Sequence, residues 1–101
     1  MSERRIARHV VVHGNVQGVG FRDFVRHHAT QRNLDGWVRN RADGTVEAVF
    51  AGLQGTVEAM IRTTKIETLG SKVTALQERE AADAELRTGG AGEGFMVLPT
   101  L

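Results

Sequence analysis

The sequence predicts an α+β sandwich in which two helices cover one face of an antiparallel β-sheet. Three observations lead to this fold class: short apolar segments typical of strands, two stretches with apolar residues at helical spacing, and the order of these elements. The order is β-α-β-β-α-β with a short fifth strand, and two helices of this length can cover only one face of the sheet. This is the pattern of the split βαβ, or ferredoxin-like, sandwich.

The first strand is predicted from Ile6 to His13, because Val10 to Val12 form a short apolar run, and Gly14 is expected to end the strand. A glycine-rich stretch separates this strand from an amphipathic helix, which we expect to run to about Arg32. The residues at the spacing of one helix face are Phe21, Phe24, Val25, His28 and Ala29.

The second and third strands are predicted to form a hairpin, with Leu34 to Arg41 as one strand and Thr45 to Ala51 as the other. Between them, the dipeptide Asp43-Gly44 is typical of a two-residue turn. The residues that would share one face of the third strand are Val46, Ala48 and Phe50.

The second half of the chain is predicted to hold another helix and two more strands. Residues at helical spacing are Val57, Met60, Ile61 and Thr64. Gly55 weakens the start of this helix, and Lys72 to Arg79 follows as a fourth strand. The polar segment from Glu80 to Glu93 is predicted to be a mobile loop before a last strand from Gly94 to Leu98. No repeat or domain boundary is visible, so residues 1–101 are predicted to form a single domain.

Composition narrows the classes of function. Hydrophobic residues make up 41% and charged residues 25% of the chain, which is the balance of a folded globular protein. Cysteine is absent, which excludes disulfides, zinc-thiolate sites, iron–sulfur clusters and thiol nucleophiles. The formal net charge of +1 does not favour a nucleic-acid binder. Because no apolar stretch would serve as a signal peptide or membrane span, we expect a cytoplasmic protein.

The segment from Gly14 to Arg22 joins the first strand to the first helix. Its glycines let consecutive backbone N–H groups face one point at the positive end of the helix, an arrangement that binds anions. Arg22 can add a bidentate contact to two phosphate oxygens. The alternative is a flexible connector with a solvated arginine, and glycine spacing alone does not decide between them. The spacing matches neither a Walker A loop nor the Rossmann fingerprint.

Two sequence blocks resemble the acylphosphatase family. The first block is Val16-Gln17-Gly18-Val19-Gly20-Phe21-Arg22, and the second is Gly36-Trp37-Val38-Arg39-Asn40 followed by Asp43-Gly44-Thr45-Val46-Glu47. Two blocks in the right order are more specific than one glycine loop. The similarity extends in detail from about His9 to Gly52.

The resemblance implies a hydrolase that cuts the carboxyl–phosphate bond of acyl phosphates without a metal or cofactor. It implies that Arg22 binds the phosphoryl group and that Asn40 positions the attacking water. The backbone groups that would cradle the phosphoryl group are those of Asn15, Val16, Gln17, Gly18, Val19 and Gly20. Inorganic phosphate would be the product and an inhibitor, and we expect a monomer with no nucleic-acid or membrane partner.

These residue types suit the reaction because an acyl phosphate already carries a good leaving group. The protein must mainly position the substrate and stabilise the equatorial oxygens of the phosphoryl group. The carboxamide of Asn40 can accept one hydrogen bond from water and donate another, which aligns a water lone pair with phosphorus. A phosphate oxygen of the substrate can take the proton, so no side-chain base is required.

Several of these residues also have a simpler interpretation. Asn40 in isolation is more typical of a residue that satisfies turn backbone, and the neighbouring Gly36-Trp37 block favours the catalytic interpretation. Trp37 and Phe21 are predicted to be core residues. The four histidines are assigned no role, because His28 lies on the apolar helix face, His9 and His13 flank a buried strand, and no carboxylate stands at metal-ligand spacing.

Three positions depart from the family's usual pattern. Asp23 follows the arginine where an aromatic residue is usual, and Arg41 follows Asn40 where a small or apolar residue is frequent. Leu98 and Pro99 follow the phenylalanine of the last strand, where basic residues usually end the family's sequence. We expect these differences to affect the catalytic rate and the substrate preference, and to leave the backbone cradle intact. Asp23 is expected to be turned aside from the cradle, because successive helical side chains point about 100° apart.

Two other functions share parts of these patterns. Gly18-Val19-Gly20-Phe21 is superficially similar to the aromatic motif of RNA-recognition domains, but that motif belongs on a third strand with exposed aromatic residues. The third strand, Thr45 to Phe50, has no such pair. A carbamoyl-phosphate-handling domain, like that at the start of hydrogenase-maturation carbamoyltransferases, shares the signature. That domain is normally fused to zinc-finger and transferase regions, whereas this chain ends at Leu101.

Overall fold

The computed structural model describes residues 4–66, 71–90 and 93–101. Its elements in chain order are β1 (Arg5–Asn15), α1 (Phe21–Gln31), β2 (Asp35–Asn40), β3 (Val46–Leu53), α2 (Gln54–Thr64), β4 (Lys72–Glu80), α3 (Asp83–Leu86) and β5 (Phe95–Val97). This order confirms the predicted ferredoxin-like α+β sandwich with a short fifth strand. None of the described helices is long and apolar enough to cross a membrane.

The strands form one sheet in the order β4-β1-β3-β2-β5. The predicted antiparallel pairing holds for β1 to β4, whereas β5 runs parallel to β2 with Val97 opposite Val38, so the sheet is mixed. The reason is geometric. Because β4 ends at the end of the sheet where β2 begins, the short connection through α3 brings β5 in alongside β2 and in the same direction.

The main core lies between one face of the sheet and the helices α1 and α2. On α1 the buried residues are Phe21, Val25 and Ala29, and on α2 they are Val57, Met60, Ile61 and Thr64. The predicted inner face of β3 is confirmed, because Val46, Ala48 and Phe50 are all part of this cluster. Burying these apolar helix faces removes apolar surface from water. The resulting hydrophobic effect is the main force that holds both helices on the sheet.

A smaller core lies on the opposite face of the sheet, around the buried ring of Trp37. The residues that pack with it are Val49, Leu98, Ala81 and Leu86. The indole Nε1 of Trp37 donates to the backbone oxygen of Glu85 at 2.7 Å, which satisfies the ring's polar atom. Trp37 is therefore a core residue, as predicted.

The segment predicted to be a mobile loop, Glu80 to Glu93, contains the helix α3. Glu85 stabilises the start of α3. Its carboxylate accepts hydrogen bonds from Arg79 at 2.8 and 2.6 Å and from the N–H of Ala82 at 2.9 Å. These bonds lower the pKa of Glu85 to about 2. The prediction of a loop was wrong. It rested on the polar composition of the segment, whereas the helix α3 depends on contacts with β4 and Trp37. Residues 91–92 of the predicted loop lie outside the described part of the chain.

The hairpin between β2 and β3 has a longer loop than predicted. The N–H of Arg41 donates to the oxygen of Thr45 at 2.9 Å, so three residues, Ala42 to Gly44, make the turn. Gly44 has a φ of 91° and its N–H donates to the oxygen of Arg41 at 3.1 Å. A type I turn followed by a left-handed residue is the usual three-residue hairpin.

Candidate active site

The loop between β1 and α1, residues 16–20, bends at two glycines. Gly18 and Gly20 have φ angles of 73° and 78°, in the left-handed region that favours glycine. A Cβ atom added at either position would meet no atom within 4 Å. This side of the loop therefore faces open space, and its backbone is accessible to a ligand.

The N-terminus of α1 has no side-chain cap. Gly20 occupies the N-cap position, and its carbonyl accepts the first helical hydrogen bond from the N–H of Phe24 at 3.0 Å. The earlier N–H groups of the first turn have no partner within the helix, and the helix dipole adds partial positive charge at this end. Such an end stabilises an anion.

A pocket of about 280 Å³ opens at this end of α1. The residues that line it are Val16, Gly18, Gly20, Phe21, Arg22, Asp23, Arg26 and Val97. The structure thus brings Arg22 together with part of the predicted backbone cradle. The predicted site residues that do not line this pocket are Asn15, Gln17, Val19 and Asn40.

The guanidinium of Arg22 is available to a ligand. The residue is half-buried, and in the described ranges its side chain has no hydrogen bond or ion pair. Arg26, one turn further along α1, is instead mostly exposed, with its Nε 4.0 Å from Oδ1 of Asp23. The donors of Arg22 are therefore free to form a fork on two oxygens of an anion.

The side chain of Gln17 connects the loop to the β2–β3 hairpin. Its Nε2 donates to the backbone oxygens of Arg41 and Thr45, each at 2.8 Å. These are the two residues that close the hairpin turn, and Arg41 directly follows Asn40. The pocket loop and the strand that carries Asn40 are therefore joined by two hydrogen bonds that the sequence did not predict.

Asn40 is the last residue of β2, and its backbone is held on both sides. It pairs with Val46 of β3, and its carbonyl accepts a hydrogen bond from the N–H of Leu101 at 3.0 Å. In contrast, its side-chain Oδ1 is buried and has no hydrogen-bond partner among the described residues. A buried acceptor without a partner costs about 1–3 kcal/mol, which makes this oxygen a candidate for a functional contact.

Asp23 lies in the first turn of α1, as predicted. It is part of the lining together with Arg22, although its side chain is 81% exposed. Its negative charge therefore opposes an anion in the pocket, but solvent and Arg26 weaken that effect.

We expect Asp23→Asn to tighten inhibition by inorganic phosphate only a few-fold, and the gain should shrink as salt is added. Thermal stability should fall slightly, because an acid in the first helical turn interacts favourably with the helix dipole. The measurement is the phosphate Ki of both proteins at low and high ionic strength. A large change that salt does not affect would mean that Asp23 contacts Arg22 or the loop directly.

A charged cluster that the sequence did not predict lies on the sheet face opposite α1 and α2. Glu47 Oε2 is 2.7 Å from His9 Nε2, and Glu47 Oε1 accepts from Arg39 Nε at 2.8 Å. Burial alone would raise the pKa of Glu47, but the hydrogen bonds from His9 and Arg39 lower it on balance. Only cross-strand proximity could have signalled this cluster, and it needs the registers of β1 and of β2 against β3. None of its members lines the pocket.

The described residues contain no group of three or more histidine, aspartate or glutamate side chains that could hold a metal ion. At the pocket, positive charge comes from Arg22, Arg26 and the N-terminal end of α1. Phe21, predicted to be a core residue, is buried beneath this pocket and forms part of its wall.

Comparisons with known proteins agree on one family. The family model for acylphosphatase matches residues 8–91. An acylphosphatase of Bradyrhizobium diazoefficiens is 45% identical over 92 residues, which are 91% of this chain and 93% of that protein. The crystal structure of the acylphosphatase from Bacillus subtilis has a TM-score of 0.80 and 34% sequence identity, covering 92% of this chain and 98% of that chain.

A larger protein also contains a similar structure. The crystal structure of full-length HypF in its phosphate- and nucleotide-bound form has a TM-score of 0.79 and 30% identity. The match covers 99% of this chain but only 13% of that chain.

Proposed function

The chain belongs to the acylphosphatase family, the hydrolases of acyl phosphates, and from that membership we propose that Arg22, Asn40 and the loop before α1 carry out the reaction. The single observation that carries this proposal is the pocket at the start of α1. There Arg22, which is half-buried and has no side-chain partner in the described residues, lines the pocket beside the uncapped N-terminus of a helix. A dianionic phosphoryl group suits such a site.

In this proposal the phosphoryl oxygens are bound by backbone N–H groups of residues 15–20 and by two nitrogens of Arg22. These donors hold the equatorial oxygens, on which negative charge is spread during phosphoryl transfer. The bidentate fork also orients the phosphoryl group, so that its bond to the acyl oxygen has a defined direction. Binding and orientation together supply most of the catalysis, because little covalent chemistry falls to the protein.

Asn40 positions the water on the side of phosphorus opposite the acyl oxygen. Its buried Oδ1 accepts a hydrogen bond from the water, which turns a lone pair toward phosphorus. The bond from water oxygen to phosphorus then forms as the bond from phosphorus to the acyl oxygen breaks. The carboxylate leaves with the electron pair of that bond, and a phosphate oxygen takes the proton of the water.

Because part of HypF has a similar structure, a module that handles carbamoyl phosphate is a second candidate function for this chain. The chain spans 93% of the Bradyrhizobium protein, 98% of the Bacillus chain and 13% of HypF. An assay that compares carbamoyl phosphate with benzoyl phosphate and acetyl phosphate separates the two functions. A free acylphosphatase hydrolyses benzoyl phosphate and acetyl phosphate on its own, with release of inorganic phosphate.

We expect hydrolysis of benzoyl phosphate to continue at the same rate in EDTA. The reason is that Arg22 and the helix end supply the positive charge that a metal ion would otherwise provide. The measurement is initial rate with and without chelator, and the blank is the same protein carrying Arg22→Lys. Activity that EDTA abolishes and Mg²⁺ or Zn²⁺ restores would contradict metal independence.

Three properties stay predictions: the monomeric state, the cytoplasmic location and product inhibition by phosphate. Gel filtration tests the first, cell fractionation tests the second, and competition against benzoyl phosphate tests the third.

A further inference from the structure

We propose that Gln17 is a positioning residue, which places Asn40 against the phosphate pocket. This inference rests on the function proposed above, in which Asn40 orients the attacking water. The family resemblance implies a role for Gln17 only through its backbone N–H in the cradle. In the structure, its side chain also makes contacts of its own.

The carboxamide of Gln17 uses both hydrogens of its nitrogen on the hairpin. Nε2 lies 2.8 Å from the oxygen of Arg41 and 2.8 Å from the oxygen of Thr45. Each of these carbonyls already accepts one backbone hydrogen bond within the turn, from Gly44 and Arg41 respectively. Gln17 therefore binds the second lone pair of each carbonyl, and a side chain without two donors cannot replace it.

These bonds fall where the sheet stops supporting the hairpin. The pairing of β1 with β3 ends at Val12 opposite Val46, so the turn beyond Val46 has no neighbour in β1. Gln17 supplies that neighbour, since its backbone lies between Val16 and Gly18 of the pocket lining. One side chain thus sets the distance between the phosphate loop and the end of β2, where Asn40 stands.

The consequence for catalysis follows from alignment. A water held by Asn40 must lie in line with the bond that breaks, and displacements of about 1 Å can cost about 100-fold in rate. A turn that is free to shift would move Asn40 without removing any group that binds phosphate. Loss of the Gln17 side chain should therefore lower kcat more than it raises the phosphate Ki.

The first test is Gln17→Met, which keeps the length of the side chain and removes both donors. We expect kcat for benzoyl phosphate to fall about 10-fold, with the phosphate Ki changed by about twofold or less. Gln17→Glu should lose more, because its carboxylate oxygens would face two carbonyl oxygens. The matched control is Gln31→Met at the exposed end of α1, which should keep wild-type kinetics.

The second test is a double-mutant cycle with Asn40. In an Asn40→Ala background, Gln17→Met should change kcat by about twofold or less, because the residue through which it acts is gone. Losses that multiply would overturn the positioning role and leave the catalytic role of Asn40 intact. A normal kcat in Asn40→Ala alone would overturn the function proposed for Asn40, and this inference with it.

Thermal unfolding of each variant shows whether it is folded before its kinetics are compared. If Gln17→Met does not fold, Gln17→Asn replaces it in the same cycle, because it keeps both donors on a side chain too short to reach. A rise in phosphate Ki equal to the fall in kcat would overturn the proposal, since it would place the whole effect of Gln17 in the phosphate loop.

Discussion

Arg22→Lys is expected to lower kcat/KM for benzoyl phosphate by about 10³-fold or more, the scale seen when an arginine that stabilises phosphoryl transfer is lost. Lysine keeps the charge but is a single point donor, so it cannot form two parallel bonds to the phosphoryl oxygens. Arg26, also on the pocket wall, cannot compensate because it is mostly exposed and lies beside Asp23.

Two further measurements make the Arg22 result specific. Competitive inhibition by phosphate should weaken along with turnover, because the same fork binds product and substrate. The thermal midpoint should stay unchanged, since the guanidinium has no partner among the described residues that folding would lose. Arg62→Lys, in the last turn of α2, is the matched control and should behave as wild type. Near-wild-type turnover in Arg22→Lys would remove Arg22 from the mechanism.

Asn40→Ala is expected to lower kcat by about 10²-fold, the usual cost of losing one positioned polar group in an active site. KM should change little, because a neutral carboxamide contributes no charge to phosphate binding. The measurement is a full kinetic curve with benzoyl phosphate. A steep rise in KM with kcat retained would mean that Asn40 binds substrate and that another group holds the water.

The structure adds an expectation about stability for the same variant. Because Asn40 Oδ1 is buried without a partner in the described part of the chain, Asn40→Ala removes an unsatisfied acceptor. Its thermal midpoint should therefore hold or rise while its activity falls. This combination separates a residue kept for catalysis from one kept for folding, which would lose both together.

The sequence predicted the elements whose signals are local. The spacing of Phe21, Val25 and Ala29 describes the buried side of α1, and alternation along β3 predicted its inner face. Both signals depend on the period of a single element, so no knowledge of its neighbours is needed. The βαββαβ order is the sequence of these elements along the chain, and it predicted the fold class because two helices of this length can cover only one face of the sheet.

The candidate site was predictable for a similar reason. Arg22 and the glycines before it lie within one strand-to-helix turn, so a short run of sequence places the cation beside the helix end. Asn40 was assigned from the family resemblance, since an asparagine before a hairpin is, in isolation, more typical of a residue that satisfies turn backbone. Its role in water positioning stays a prediction.

What the sequence determined by itself is therefore local: the buried helix faces, the order of the elements along the chain and the place of Arg22 in the strand-to-helix turn. Tertiary structure alone decided the parallel pairing of β5, the helix α3 over Trp37, the place of Asp23 in the pocket wall and the bonds from Gln17 to the hairpin. Each of these depends on groups far apart in the chain. The bonds of Gln17 reach backbone oxygens 24 and 28 residues away, and every residue has such an oxygen, so no residue type could signal the contact.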